Sequence, residues 1–147
     1  MAASVRVEAS TPEARRRMQR VRQKNTSAEA ALRRELHARG IRYRVHVPVL
    51  TKPRRVADVA FSRLRVAVFV DGCFWHGCPT HATWPKQNAE FWRAKIEANI
   101  ARDRDTDERL RAAGWKVIRV WAHEEPESAA GRIAHVLERR RERMRRP

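Results

Sequence analysis

Residues 66–81 read Val66-Ala-Val-Phe-Val70-Asp71-Gly72-Cys73-Phe74-Trp75-His76-Gly77-Cys78-Pro79-Thr80-His81. The run from Val66 to Val70 is short and apolar, and Asp71-Gly72 closes it. That is the pattern of a buried strand breaking into a tight loop. The loop carries both cysteines of the chain, two histidines and two adjacent aromatics. Every polar group in such a mixture needs a partner once packed, so the stretch marks a site rather than a core.

Upstream, Val56 to Phe61 reads as a second strand joined to the first by the turn Ser62–Arg65. Asp58 lies inside it, and a carboxylate among small apolar residues is out of place unless it binds something. The hairpin sets Asp58 beside the loop. Ile41 to Val47 alternates apolar and polar residues, a half-buried strand with Arg42, Arg44 and His46 on its basic outer face. Before it, Thr26-Ser-Ala-Glu29 fits a capping box opening a helix that Gly40 ends. A basic arm precedes that helix and could itself turn helical behind Thr11-Pro12-Glu13.

Downstream, Asn88 is the expected N-cap of a long helix over 90–113 that Gly114 stops. Trp115 to Trp121 is a fourth strand with both tryptophans expected in the core, and it delivers His123 at its end. A last helix from Glu127 runs into a basic tail. The order α-β-β-β-α-β-α predicts an α/β fold with a central mixed β-sheet flanked by helices.

The chain has 147 residues, enough for one domain, and a net charge of +16 that favours a polyanionic partner. A ribosomal or other scaffold-type nucleic-acid protein would share that balance. With no signal peptide and no apolar run of about 18 residues, a soluble cytoplasmic protein without membrane contact is expected. In a reducing compartment, cysteines near histidines are more often metal ligands than a disulfide.

Three constellations carry chemistry. Cys73, Cys78 and His81, with His123 as a distant fourth, make a set of N/S ligands suited to a structural Zn²⁺; the plain alternative is two buried reduced thiols. Asp58 and Asp71 could share a hard cation such as Mg²⁺, with His76 close enough to activate water and Glu29 able to reach in from the first helix. A structural Asp–Arg pair is the alternative for Asp71. Phe74 and Trp75, with Trp84 and Trp92 beyond, could wedge between bases, although aromatics are more often core.

The motifs at 71–81, Asn-x-Glu-Phe-Trp-x-x-Lys-Ile-x-x-Asn (88–99), Arg102-Asp103 and Gly-Trp-x-Val-x-x-Val-Trp (114–121) resemble the very-short-patch-repair (Vsr) DNA mismatch endonucleases. The resemblance runs in order from Met18 to Glu124. It implies a restriction-endonuclease-like fold and Mg²⁺-dependent nicking of duplex DNA 5′ of the thymine in a T:G mismatch, the product of 5-methylcytosine deamination. Carried over by position, Asp58 is the catalytic aspartate and Mg²⁺ ligand, and Val70 offers a main-chain carbonyl to the same ion. His76 is the catalytic histidine, Glu29 an active-site glutamate, and Asp71 a further catalytic residue whose role stays open. Phe74, Trp75 and Trp92 intercalate, while Lys95 and Asn99 read or clamp the DNA. His123 stands where many members have cysteine, and would replace it on zinc beside Cys73, Cys78 and His81.

The expected organisation is a flexible basic arm over 1–17, a Vsr-like endonuclease domain over 18–138 and a basic tail over 139–147. The expected setting is monomeric and nucleoid-associated in a bacterial-type cytoplasm. Two rival readings remain: a restriction-type or structure-specific nuclease without T:G preference, and a non-catalytic zinc-stabilised DNA-binding protein.

Overall fold

The structure, a computed structural model, describes residues 12–73 and 88–146. Its elements are α1 (Pro12–Ala38), β1 (Arg44–Thr51), β2 (Arg54–Phe61), β3 (Val66–Asp71), α2 (Ala89–Ala112), β4 (Lys116–Trp121) and α3 (Pro126–Arg145). The strands form one mixed sheet in the order β1-β2-β3-β4. The first three are antiparallel neighbours, and β4 returns parallel to β3. A parallel return needs a crossover, which α2 supplies.

Strand β3 alternates between two apolar layers, as the period of two along a strand requires. Val66, Val68 and Val70 join Val59, Phe61, Ile118 and Val120 on one face, where Leu32 and Leu36 of α1 and Ile133 and Leu137 of α3 cover them. Ala67 and Phe69 turn to the other face with Ala57, Ala60 and Leu110 of α2. Ile133 is fully buried at 0% exposure. Ile133→Ala is expected to cost about 2–5 kcal/mol, seen as a lower urea midpoint with an unchanged slope.

The helix ends follow the expected glycines. Gly40 (φ 72) and Gly114 (φ 89) both adopt the left-handed conformation that a side chain disfavours. After α1, Ile41 N–H donates to Leu36 O and Gly40 N–H to His37 O; after α2, Trp115 N–H donates to Leu110 O and Gly114 N–H to Arg111 O. Both are Schellman closures.

Several local expectations are corrected. The Thr26 capping box starts nothing, because α1 is already helical from Pro12. No glycine or proline interrupts residues 13–38, so the helix runs straight through the box. Asn88 holds the N-terminal position of α2 by backbone alone, at φ 56 and with no side-chain cap; asparagine tolerates that conformation. Trp115 and Trp121 are half-buried rather than core. The first strand sits later than its alternation suggested and includes Pro48. Proline is admissible there because β1 is an edge of the sheet.

The two outer strands are finished differently. On β1, Pro48 lies at a shift of register between Pro48 and Leu50. On β4, side chains take up backbone groups: Arg132 Nη2 donates to Arg119 O at 2.7 Å, and Trp121 N–H donates to Glu124 Oε1 at 3.0 Å.

Candidate active site

The hairpin register builds the site. Val45 pairs with Val59 and Val47 with Ala57, so His46 falls opposite Asp58. His46 adopts φ 50, uncommon for a residue with a side chain. On the other side of β2, the ladder to β3 runs from Phe61–Val66 to Val59–Val68. Beyond that point the Asp58 carboxylate stands in for a strand partner, with Oδ2 accepting the Val70 N–H at 2.7 Å. Within a strand, a residue's C=O points to the same side as its N–H. The Val70 carbonyl is therefore turned toward the Asp58 edge.

Glu29 arrives from α1, with Oε2 3.7 Å from His46 Nε2. One donor atom each from Glu29, His46 and Asp58 lie within 4.8 Å of one another. Burial pushes Asp58 up from 3.8 to about 6, and Glu29 pushes the same way; the Val70 N–H and the nearby His46 oppose both. Two carboxylates crowded beside an imidazole, one of them holding its proton up to about pH 6, fit a divalent cation that would neutralise them.

This sets a pH dependence. Asp58 titrates near 3.8 when exposed and near 6 in the fold, so the folded chain binds a proton that the unfolded chain has lost. The stabilisation is complete below about pH 4 and is lost as pH rises through about 6, on the order of 3 kcal/mol in all. Cation binding must displace that proton, so apparent affinity should rise from about pH 5 to 7 and then level off. Calorimetric titration with Mg²⁺ or Mn²⁺ in two buffers of different ionisation enthalpy would read the proton release. An affinity flat across that range would contradict it.

The other expected residues separate into groups. Cys73 Sγ lies 3.1 Å from His123 Nδ1, although the two are 50 positions apart. Trp121 stacks on the His123 ring with centroids 6.3 Å apart and an interplanar angle of 14°. Half of the expected zinc set thus meets. Cys78 and His81 lie outside the described residues, as do Phe74, Trp75, His76 and Trp84. Trp92, Lys95 and Asn99 follow one another along a single face of α2. Trp92 packs edge-on to Phe91 at 5.3 Å, Lys95 is exposed, and Asn99 Oδ1 accepts from Arg102 at 3.2 Å.

Asp71 is buried and ion-paired to Arg119 at 3.0 Å. The Arg119 guanidinium also meets Asp107 at 2.7 Å and Asp103 at 3.6 Å. Burial pulls the Arg119 pKa down, but the Asp107 hydrogen bond and the surrounding carboxylates outweigh it and raise the value. A groove of about 370 Å³ joins this cluster to Asp58, with Arg54, Arg55 and Arg102 on its walls.

Sequence reasoning missed His46 and Arg119. His46 looked like one more cation on an outer face, and the signal that identifies it is its position across the hairpin from Asp58. Arg119 alternates with Ile118 and Val120 as a solvent-facing strand residue would. Its carboxylates come from the end of β3 (Asp71) and from α2 lying over that face (Asp103 and Asp107).

The family profile described as DNA mismatch endonuclease Vsr matches residues 8–82. The Type II nicking enzyme V.NaeI of Lentzea aerocolonigenes is 42% identical over 128 residues, covering 83% of this chain and 75% of that one. V.XorIIP of Xanthomonas oryzae pv. oryzae, also named a Type II nicking enzyme, is 41% identical over 132 residues, covering 87% and 95%. The DNA mismatch endonuclease Vsr of Escherichia coli K12 is 34% identical over 105 residues, covering 71% and 65%.

Proposed function

The chain belongs to the Vsr family of DNA endonucleases, and we propose from that premise that it nicks one strand of duplex DNA 5′ of the thymine in a T:G mismatch. The observation that carries the reading is the meeting of Glu29, His46 and Asp58 beside Val70, whose N–H Asp58 accepts. A non-catalytic DNA binder has no use for two crowded carboxylates that repel the phosphates it must hold.

The roles follow from chemistry and position. Asp58, Glu29 and the Val70 carbonyl would hold a divalent cation, Mg²⁺ in the cell, with His46 as a further donor. When bound there, such a cation would polarise the scissile phosphate and neutralise charge developing on it. Arg54 and Arg102 flank the groove leading to Asp58 and hold neighbouring phosphates. His76 moves the proton of the attacking water or the leaving oxygen. Phe74, Trp75 and Trp92 open the stack beside the mispair, at a cost of a few kcal/mol that a mismatch lowers. Lys95 and Asn99 sense the displaced groove edges of the wobble pair.

Cys73 and His123, which meet at 3.1 Å, would hold a structural Zn²⁺ together with Cys78 and His81. Purified protein should contain about one equivalent of zinc. Cys73→Ser and His123→Ala should each lose it and lower the Tm by roughly 5 °C or more. Metal analysis that found zinc undiminished in both variants would rule this set out.

The second reading, a nicking enzyme that serves a restriction system without T:G preference, is favoured by the Type II names of two relatives. One experiment separates them. A labelled duplex with a single T:G pair in varied contexts is incubated with Mg²⁺, beside fully paired and EDTA controls. A Mg²⁺-dependent nick 5′ of the mismatched thymine is expected. Equal cutting of paired DNA would favour the second reading, and binding without cutting in any context would overturn both.

A further inference from the structure

Arg119 on β4 gathers three carboxylates from two elements. Its Nη1 lies 3.0 Å from Asp71 and 3.6 Å from Asp103, while Nε and Nη2 donate to Asp107 Oδ1 at 3.1 and 2.7 Å. Its Cζ sits 4.2 Å over the Phe69 ring. Asp71 is 6% exposed. A pair this sheltered is strongly coupled, unlike an exposed ion pair, and removing Arg119 takes the cation away from the buried Asp71 carboxylate.

The position of Asp71 in the chain gives the cluster a function. Asp71 directly follows Val70, whose N–H Asp58 accepts, and the β2–β3 ladder has already ended at Val59–Val68. This end of β3 must hold its place without a ladder on that side. On the other side, Asp71 O accepts the Ala122 N–H at 2.9 Å and its carboxylate meets Arg119. Asp103 and Asp107 bring α2 onto the same guanidinium, and α2 is the helix that bears Lys95 and Asn99.

We propose that Arg119 is a positioning residue for strand cleavage. Through Asp71 it fixes the end of β3 so that the Val70 peptide stays beside Asp58, and through Asp103 and Asp107 it ties that end to α2. This rests on the reading of Glu29, His46 and Asp58 as the nuclease site. Asp71 then serves as the counter-ion of Arg119 and touches no reacting atom.

The test is a double-mutant cycle on the full chain with Arg119→Gln, Asp71→Asn and the pair combined. It reads kcat, KM for the T:G duplex, DNA affinity in EDTA, and hydrogen exchange of the Val70 amide by NMR. Each single variant should lower kcat about 10- to 100-fold, the scale of a small misplacement at the reacting centre. Val70 exchange should speed at least about tenfold, with DNA affinity within about twofold of the wild type. The combined variant should be no worse than the more damaging single one, because both break one link. Losses that multiply would mean that Asp71 acts independently, and would overturn the assignment. So would an Arg119→Gln protein with normal kcat and normal Val70 exchange.

If Arg119→Gln does not fold, Arg119→Lys keeps a cation near Asp107 but cannot fork across to Asp71. It should show the same two losses, and wild-type behaviour in both would overturn the role. Asp58→Ala is run alongside. If Asp58→Ala is inactive while Arg119→Gln is normal, the positioning role alone fails. If Asp58→Ala nicks normally, the site reading fails and takes the positioning role with it.

Discussion

Asp58→Asn is expected to lower nicking of a T:G duplex by at least about a thousandfold while leaving DNA affinity in EDTA unchanged. Asparagine keeps the shape of the side chain, and its amide oxygen can still accept the Val70 N–H that Asp58 holds at 2.7 Å. What is lost is the negative charge that a cation needs. The fold should not suffer. Without metal, Asp58 keeps its proton up to about pH 6 because burial and Glu29 disfavour the charged form. The variant and the wild type should therefore unfold at similar urea concentrations at pH 5. At pH 8 the metal-free variant should be the more stable, because the wild type then carries an ionised carboxylate in that setting. Single-turnover nicking and urea midpoints at the two pH values check both halves. A normal nicking rate would remove Asp58 from the chemistry.

The second large effect is on binding. The chain carries +16, and Arg15, Arg16, Arg34, Arg54 and Arg102 are all exposed. If DNA covers roughly six or more phosphates on this surface, affinity should fall about a thousandfold between about 50 and 200 mM salt. Paired and mismatched duplexes should weaken in parallel, since phosphate contacts carry no base information. The preference for the mismatch should stay nearly constant across the titration. A slope equivalent to fewer than about three phosphates would mean that the charge serves something other than a duplex. Fluorescence anisotropy at several salt concentrations decides it.

The parts legible in the sequence were those set by neighbouring residues. The apolar run Val66–Val70, the turn at Ser62–Arg65 and the glycines at 40 and 114 act locally, and the strands and helix ends follow them. Asp58 stood out because a carboxylate among small apolar residues demands an explanation. Family resemblance extended this to Glu29, which the fold brings against His46.

What was not legible depends on distant partners. His46 matters only through its register with Asp58, and a hairpin register shifts with every residue in its turn. Arg119 becomes a hub only once α2 lies across the sheet. The Thr26 box failed for a different reason. A capping box can start a helix only if the residues before it resist helix, and those of α1 do not. Asn88 shows the same limit, since it fills its position by backbone conformation and not by the side chain that suggested it.

The finish of the outer strands bears on how the protein survives at high concentration. An open sheet of four strands has two rows of backbone groups that another chain could extend into a fibril. Here Pro48 and the register shift spoil the β1 template. An incoming strand at β4 would have to evict Arg132 from Arg119 O and Glu124 from Trp121 N–H. The strong positive charge repels a second copy before it reaches either rim. Resistance to amyloid-like growth is therefore built into the same strand whose inward face anchors Asp71.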